Sequence, residues 1–276
     1  MNNITLVLVA LGVVQGVTEF LPISSSGHLV IFEQIGFFRE TIETIGSNLE
    51  LFINVCLHLA TLCAVIIYLR NDIIRIARGG LAALRERNGE SAELRTIGYI
   101  LCASLPAGIA GILFHDFFER LFSVPETVFP MLILNGIILI STKIIPVKDR
   151  KLEEVGVFRS LFIGCFQAIA ITPGISRAGS TITGGMLAGL VPEESARFSF
   201  LMAIPVIAGA GFLESLKIYQ VGAASEIIIP LSIAAVITVF VALLSLKLLF
   251  MLVRRIRIDI FGYYTIALGI AGMIWF

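Results

Sequence analysis

Gln15, Glu19, Ser24, Ser25, Ser26 and His28 lie in one short stretch of otherwise apolar sequence, and Ser176, Arg177 and Thr181 lie in another. Together these side chains suit the transfer of a phosphoryl group. A guanidinium presents a planar fork of donors matched to phosphate oxygens. An imidazole exchanges a proton near neutral pH, so His28 could act as general acid/base or as nucleophile, and the hydroxyls supply further donors. Glu19 would repel a bound phosphate unless a proton or a cation came between them. A hard divalent ion, Mg²⁺ or Ca²⁺, bridging carboxylate and phosphate oxygens resolves that conflict. Gln15, four residues before Glu19, shares its helix face.

The two stretches are copies of one motif. The first reads G-V-V-Q-G-V-T-E-F-L-P-I-S-S-S-G-H from Gly12 to His28, and the second G-C-F-Q-A-I-A-I-T-P-G-I-S-R-A-G-S from Gly164 to Ser180. An offset of 152 positions brings Gly12 onto Gly164, Gln15 onto Gln167, Ile23 onto Ile175, Ser24 onto Ser176 and Gly27 onto Gly179. Apolar helices interrupted by Pro, Gly and Ser at matching places in two halves mark a binding site at membrane depth. In each copy the polar loop should lead into a second helical arm, with Gly27–His28 or Gly179–Ser180–Thr181 in its first turn. Helix N-termini carry unpaired N–H groups and partial positive charge, so two of them meeting would cradle one anion.

The elements that position these residues follow from composition. The chain is 57% hydrophobic and 14% charged, which places nearly all of it in a bilayer. Basic and acidic residues both number 20, and no basic patch with interleaved aromatics occurs, so nucleic acid is excluded as a partner. Cys56, Cys63, Cys102 and Cys165 lack metal-ligand or disulfide spacing and are expected as buried, space-filling thiols. No basic residue precedes Arg39, so no signal-peptide n-region is expected. Six stretches, near 49–69, 96–114, 128–145, 197–216, 227–252 and 260–276, are long and apolar enough to span. The motif breaks two more, 4–38 and 158–191, into arms too short to cross a hydrocarbon core of roughly 30 Å. These are expected as re-entrant hairpins, covered by protein or by a water-filled cavity. The expected fold is an all-α polytopic membrane protein with six transmembrane helices and two re-entrant helix-loop-helix hairpins.

Basic residues orient it. The 70–95, 146–159 and 253–258 connections, expected as loops, are rich in Arg and Lys and so are cytoplasmic. Counting spans from them puts the N-terminus outside, with the first hairpin entering from outside and the second from the cytoplasm. Residues 1–150 and 151–276 are then two repeats of opposite orientation within a single membrane domain. Simpler roles are expected elsewhere. Glu19 and Arg177 could form an ion pair linking the hairpins, which would not exclude a site role. His58 is expected to be a packing histidine, His115–Asp116 an interfacial pair, and Glu193–Arg197 a helix start with acidic residues at its N-terminus.

Q-G-V-T-E-F-L-P-I-S-S-S-G-H, P-G-I-S-R-A-G-S-T and L-H-L-A-T-L-C-A-V resemble signatures of the undecaprenyl-diphosphatase family, the bacitracin-resistance type of membrane phosphatase, across essentially the whole chain. The resemblance implies hydrolysis of undecaprenyl diphosphate to undecaprenyl phosphate in the bacterial plasma membrane, recycling the lipid carrier for peptidoglycan synthesis. It also implies two re-entrant helix pairs within inverted repeats. The family's acidic motif falls on Gln15 and Glu19, its serine and histidine on Ser25 and His28, and its Ser-Arg and threonine on Ser176, Arg177 and Thr181. Gln15 stands where many members have Glu, and Ala178 where a Ser usually follows the Arg. The expected catalytic residues are thus Glu19, Ser25, His28 and Arg177. Ser24, Ser26, Gly27, Ser176, Gly179 and Thr181 bind substrate, and Glu19 and Gln15 hold the Mg²⁺ or Ca²⁺. The nucleophile stays open between His, Ser and water. The site is expected to face the outer side, and a homodimer is compatible with the sequence. The alternative reading is a lipid flippase or secondary transporter using the same anion site.

Overall fold

The computed structural model describes residues 3–33, 36, 38, 40–41, 47–122, 124–218 and 225–275. Positions 34, 35 and 37 of the first predicted hairpin, and residue 276 of the last predicted span, lie outside the described residues. Twelve α-helices carry the described chain: α1 (Asn3–Thr18), α2 (Ser25–Glu33), α3 (Ser47–Tyr68), α4 (Arg70–Arg85), α5 (Ala92–Leu113), α6 (His115–Phe122), α7 (Val128–Ser141), α8 (Val157–Ile169), α9 (Arg177–Leu187), α10 (Pro192–Ile218), α11 (Ser225–Arg254) and α12 (Asp259–Trp275). Among the described residues there is no strand, only an isolated bridge between Arg150 and Leu190.

Among the described residues five helices are long and apolar enough to cross a membrane: α3, α5, α7 with its flanking 3₁₀ turns, α10 and α11. The sixth expected span, α12, is an apolar helix of 17 residues packed along α7, at the short end of what a bilayer requires. The molecule is an all-α, multi-pass membrane protein. Both motif copies form helix-loop-helix elements, α1–α2 and α8–α9, which turn where Pro22 and Pro173 cannot continue a helix.

Packing between the halves is exchanged. α1 lies on α11, in the second half, and its motif counterpart α8 lies on α5, in the first. Repeat-related glycines sit at both contacts. A Cβ on Gly12 would meet Ala234 and Thr238 of α11, and one on Gly164 would meet Ala103 and Pro106 of α5. Thr238 Oγ1 then donates to the Gly12 carbonyl across the first contact, at 3.1 Å. The main core lies beneath the two hairpin tips, with Phe20, Leu139, Ala178, Ile182, Phe198, Phe200 and Leu246 fully buried.

Two expectations are corrected here. The segment after Arg70 is not a loop but a helix, α4, whose inner face (Ile76, Gly80, Ala83) packs on α5 while its arginines point outward. Its dense arginines favour the polar-loop reading, yet the apolar residues recur at helical spacing. The cysteines are not buried: Cys63 and Cys165 are exposed, and Cys56 and Cys102 half-buried. A thiol on a membrane helix needs no protein cover, because lipid on the outside is as apolar as a core.

The acidic start of α10 does more than complement the helix dipole. Glu193 accepts from Arg254 at 2.9 Å and from Arg197 at 3.1 Å, and Arg197 reaches Asp72 of α4 at 2.8 Å. These pairs tie α4, α10 and α11 together on the side carrying the basic connections.

Candidate active site

The two loops are built alike. Ser24 and Ser176 sit just before α2 and α9. Each turns its hydroxyl back to accept the N–H three residues on, Gly27 at 3.2 Å and Gly179 at 3.1 Å. This is a helix N-cap, and serine is a favoured residue for it. The caps use two of the backbone donors expected to bind an anion, so Gly27 and Gly179 have those N–H groups already engaged. Ser24 is held at φ 70°, in the left-handed region, and Gly174 at φ 93°. A Cβ on Gly174 would strike the Val128 carbonyl of α7.

Asn135 of α7 joins the loops. Its Nδ2 donates to the Pro22 carbonyl at 3.1 Å, and its Oδ1 accepts from the Ser176 N–H at 2.9 Å. The residue is fully buried. Ser26 Oγ stands 3.2 Å from Ser24 Oγ and 3.4 Å from the Gly174 nitrogen, a further link between the copies.

With the tips tied together, Arg177 at the start of α9 reaches Glu19 of the first loop, Nη2 to Oε1 at 2.7 Å. The other carboxylate oxygen accepts from Ser25 Oγ at 2.8 Å and from Gln15 Nε2 at 3.2 Å. His58 Nε2 lies 3.9 Å from that same oxygen. The Arg177 guanidinium also lies 5.8 Å from the centre of the Phe200 ring, a contact that steadies a partly desolvated cation. A carboxylate at membrane depth costs on the order of 3 kcal/mol, and this set of partners offsets that cost.

Glu19, Ser25, Ser26, His58, Gln167, Ser176 and Arg177 line one cavity of about 360 Å³. A second cavity of about 500 Å³ shares His58, Phe122, Ile171, Val206, Ile207 and Ala210 with the first. It is mostly apolar and reaches His115 and Glu119 of α6. The first cavity is a chamber that carries the charged and hydroxyl side chains on otherwise apolar walls, and the second adjoins it as an apolar antechamber.

The structure brings Glu19, Ser25, Ser26, Ser176 and Arg177 to this chamber and leaves other expected residues outside its lining. His28 has Nδ1 against the Ser24 carbonyl at 2.8 Å and Nε2 against the Tyr264 hydroxyl at 2.7 Å. Thr181 Oγ1 donates to the Arg177 carbonyl at 2.7 Å and lies 2.6 Å from Ser199 Oγ. His58, expected to be a packing residue, lines the chamber instead. The hint was a lone histidine near the middle of an apolar span. Asn135 was missed altogether, although an asparagine inside a span carries a similar signal.

The residues present fit a hard cation. Gln15 Oε1 is buried without a hydrogen-bond partner, on the residue whose Nε2 faces the Glu19 carboxylate, and oxygen donors of this kind suit Mg²⁺ or Ca²⁺. Arg177 Nη1 and both amide atoms of Gln167 are likewise buried and unpartnered. Such groups cost about 1–3 kcal/mol each when left unmet, so the chamber is built for something polar.

A family model described as bacitracin resistance protein BacA matches residues 8–271. The chain is 38% identical over 262 residues to an undecaprenyl-diphosphatase of Rubrobacter xylanophilus, covering 95% of this chain and 94% of that protein. It is 39% identical over 272 residues to one of Moorella thermoacetica, covering 97% of each. A third, of Thermomicrobium roseum, is 37% identical over 268 residues, covering 94% of each.

Proposed function

The chain belongs to the bacitracin resistance protein BacA family, and from that membership and the geometry of the chamber we propose that it hydrolyses undecaprenyl diphosphate to undecaprenyl phosphate and inorganic phosphate. The observation that carries this reading is the meeting of Arg177 with Glu19 and Ser25 from opposite halves, in one cavity that opens into an apolar one. The diphosphate occupies the chamber, and the prenyl chain leaves through the apolar antechamber. Arg177 stabilises charge on the transferred phosphoryl group, a reaction in which positioning and electrostatics supply most of the catalysis.

Of the nucleophiles left open by sequence, the geometry favours Ser25. Its hydroxyl lines the chamber and already donates to a carboxylate, the nucleophile–base contact that activates a hydroxyl. In this scheme Ser25 Oγ bonds to the terminal phosphorus, its proton passes to Glu19, and the bond from phosphorus to the bridging oxygen breaks. Undecaprenyl phosphate departs, and water then releases inorganic phosphate from the serine. Gln15 and Glu19 would hold a divalent cation, which when bound contributes positive charge next to the phosphate oxygens. The resulting lipid phosphate is the carrier form reused in peptidoglycan synthesis, and its recycling confers bacitracin resistance.

The site faces outward in this reading. The basic connections follow the C-terminal ends of α3, α7 and α11, whereas the cavities are lined from the N-terminal half of α3 and the C-terminal ends of α5 and α10. With basic segments cytoplasmic, the mouth lies at the opposite face of the bacterial plasma membrane.

Phosphate release from a C55 diphosphate by purified protein in detergent tests the reaction, with Arg177→Ala as control. Release should fall at least a hundredfold in the variant. Comparable release by the variant, or none from folded wild-type protein, would refute the proposal. Label from a terminally ³²P-labelled substrate should be retained on wild-type protein in single turnover and lost in Ser25→Ala. Turnover with no label on the protein would point to direct attack by water.

A further inference from the structure

The two copies of the motif differ in how they use the same side chain. Gln15 in α1 and Gln167 in α8 occupy equivalent positions, and both are buried. In the first copy the amide nitrogen is engaged by Glu19. In the second, the position equivalent to Glu19 is Ile171, so there is no carboxylate for the amide to serve. Neither Gln167 Nε2 nor Oε1 has a hydrogen-bond partner among the described residues. Yet Gln167 is 2% exposed and belongs to the wall of the chamber, as Arg177 does with its own unpartnered Nη1. An amide without a protein partner is disfavoured when buried, and one on a cavity wall is placed to bond what enters the cavity.

We propose that Gln167 is a substrate-binding residue, donating from Nε2 to a non-bridging phosphate oxygen of the diphosphate alongside Arg177 Nη1. The assignment rests on the phosphatase reading above. The unmet groups of the second copy include two donors, Nε2 and Nη1, and an oxyanion is the ligand on which donors converge. The first copy contributes acceptors, the Glu19 carboxylate and Gln15 Oε1. The inherited symmetry is therefore broken electrically: the first half receives the cation and the attacking hydroxyl, and the second receives the phosphate. A neutral amide beside one arginine discriminates by geometry as well as charge, so Gln167 should help distinguish a diphosphate terminus from a simple anion.

Gln167→Met tests this, because it keeps the length of the side chain and removes both polar atoms. KM for the C55 diphosphate should rise about tenfold, equivalent to 1.4 kcal/mol, with a smaller change in kcat. The rise in melting temperature induced by a methylene-bridged prenyl diphosphonate should shrink in parallel. Melting of the ligand-free variant should match or exceed that of wild type, since no hydrogen bond of the empty protein is lost. A structural glutamine would give the opposite pattern, a lower ligand-free melting temperature with KM unchanged, and that result overturns the proposal. Gln167→Glu, which preserves size and polarity, should raise KM further by repelling phosphate; an unchanged KM there also overturns it. Wild-type protein that neither hydrolyses the lipid nor responds to the diphosphonate would remove the phosphatase reading itself. Hydrolysis by wild type with the same KM in both variants would remove only the role of Gln167.

Discussion

Asn135→Leu should uncouple the two loops while changing the identity of no residue that lines the chamber. Asn135 is fully buried and makes one bond to each loop, to the Pro22 carbonyl and the Ser176 N–H. Leucine has a similar size but bonds neither, so two backbone groups lose their partners in a dry setting. Each orphan costs about 1–3 kcal/mol, for a total of ~2–6 kcal/mol. At roughly 2–4 °C per kcal/mol for chains of comparable size, the midpoint of thermal unfolding should fall on the order of 10 °C. Activity should suffer more than stability alone explains. Arg177 directly follows the Ser176 nitrogen that Asn135 holds, and a displacement of about 1 Å in a catalytic group can cost on the order of a hundredfold in rate. Melting in detergent and steady-state phosphate release below the melting transition are the two assays. Ile137→Ala, at a position of the same helix that is 56% exposed, is the control and should leave both nearly unchanged. If Asn135→Leu melts within a degree or two of wild type and keeps its kcat, the idea that this residue sets the register of the loops is wrong.

Four further outcomes follow from the same geometry. Excess chelator should abolish phosphate release and Mg²⁺ or Ca²⁺ should restore it; full activity in chelator would refute a site formed by Gln15 and Glu19. His28→Ala and Tyr264→Phe should each lower the melting temperature, and the double variant should be no worse than His28→Ala. The two share one hydrogen bond, and additive losses in thermal melting would count against that coupling. Ala178→Ser should change kcat by less than about threefold, because Ala178 is buried in the core and absent from the chamber wall; a large gain would show that the hydroxyl usual in the family acts on substrate. In protein without its native cysteines, Phe122→Cys at the rim of both cavities should react with an impermeant maleimide added outside. Labelling only from the cytoplasmic face would reverse the proposed orientation.

The spans were legible because hydropathy and length act locally. A run such as Leu49–Tyr68 must hydrogen-bond its backbone within itself in lipid, and only a helix does so. The loops were legible for a related reason: Pro22, Pro173, Gly174 and the cap serines each dictate the conformation of the residues beside them. Gly12 and Gly164 match in the alignment of the two copies, but that they are points of close helix contact, and with which helices, came from the structure. What the sequence determined by itself was therefore the apolar elements, their breaks and the chemical types held at them, whereas the arginine-rich α4 was expected as a loop. Tertiary structure alone decided which of those types share a chamber. That α1 packs on α11 and α8 on α5, that His58 of α3 turns toward Glu19, and that Asn135 joins both loops are contacts between residues far apart in the chain. A hydrophobic period tells which face of a helix is apolar, but not which partner covers it. The same limit explains His28 and Thr181, which sit within the motifs yet have their polar atoms turned to Tyr264 and Ser199. A side chain one turn along a helix points to another face, and only the neighbours packed there decide whether that face meets the substrate or the core.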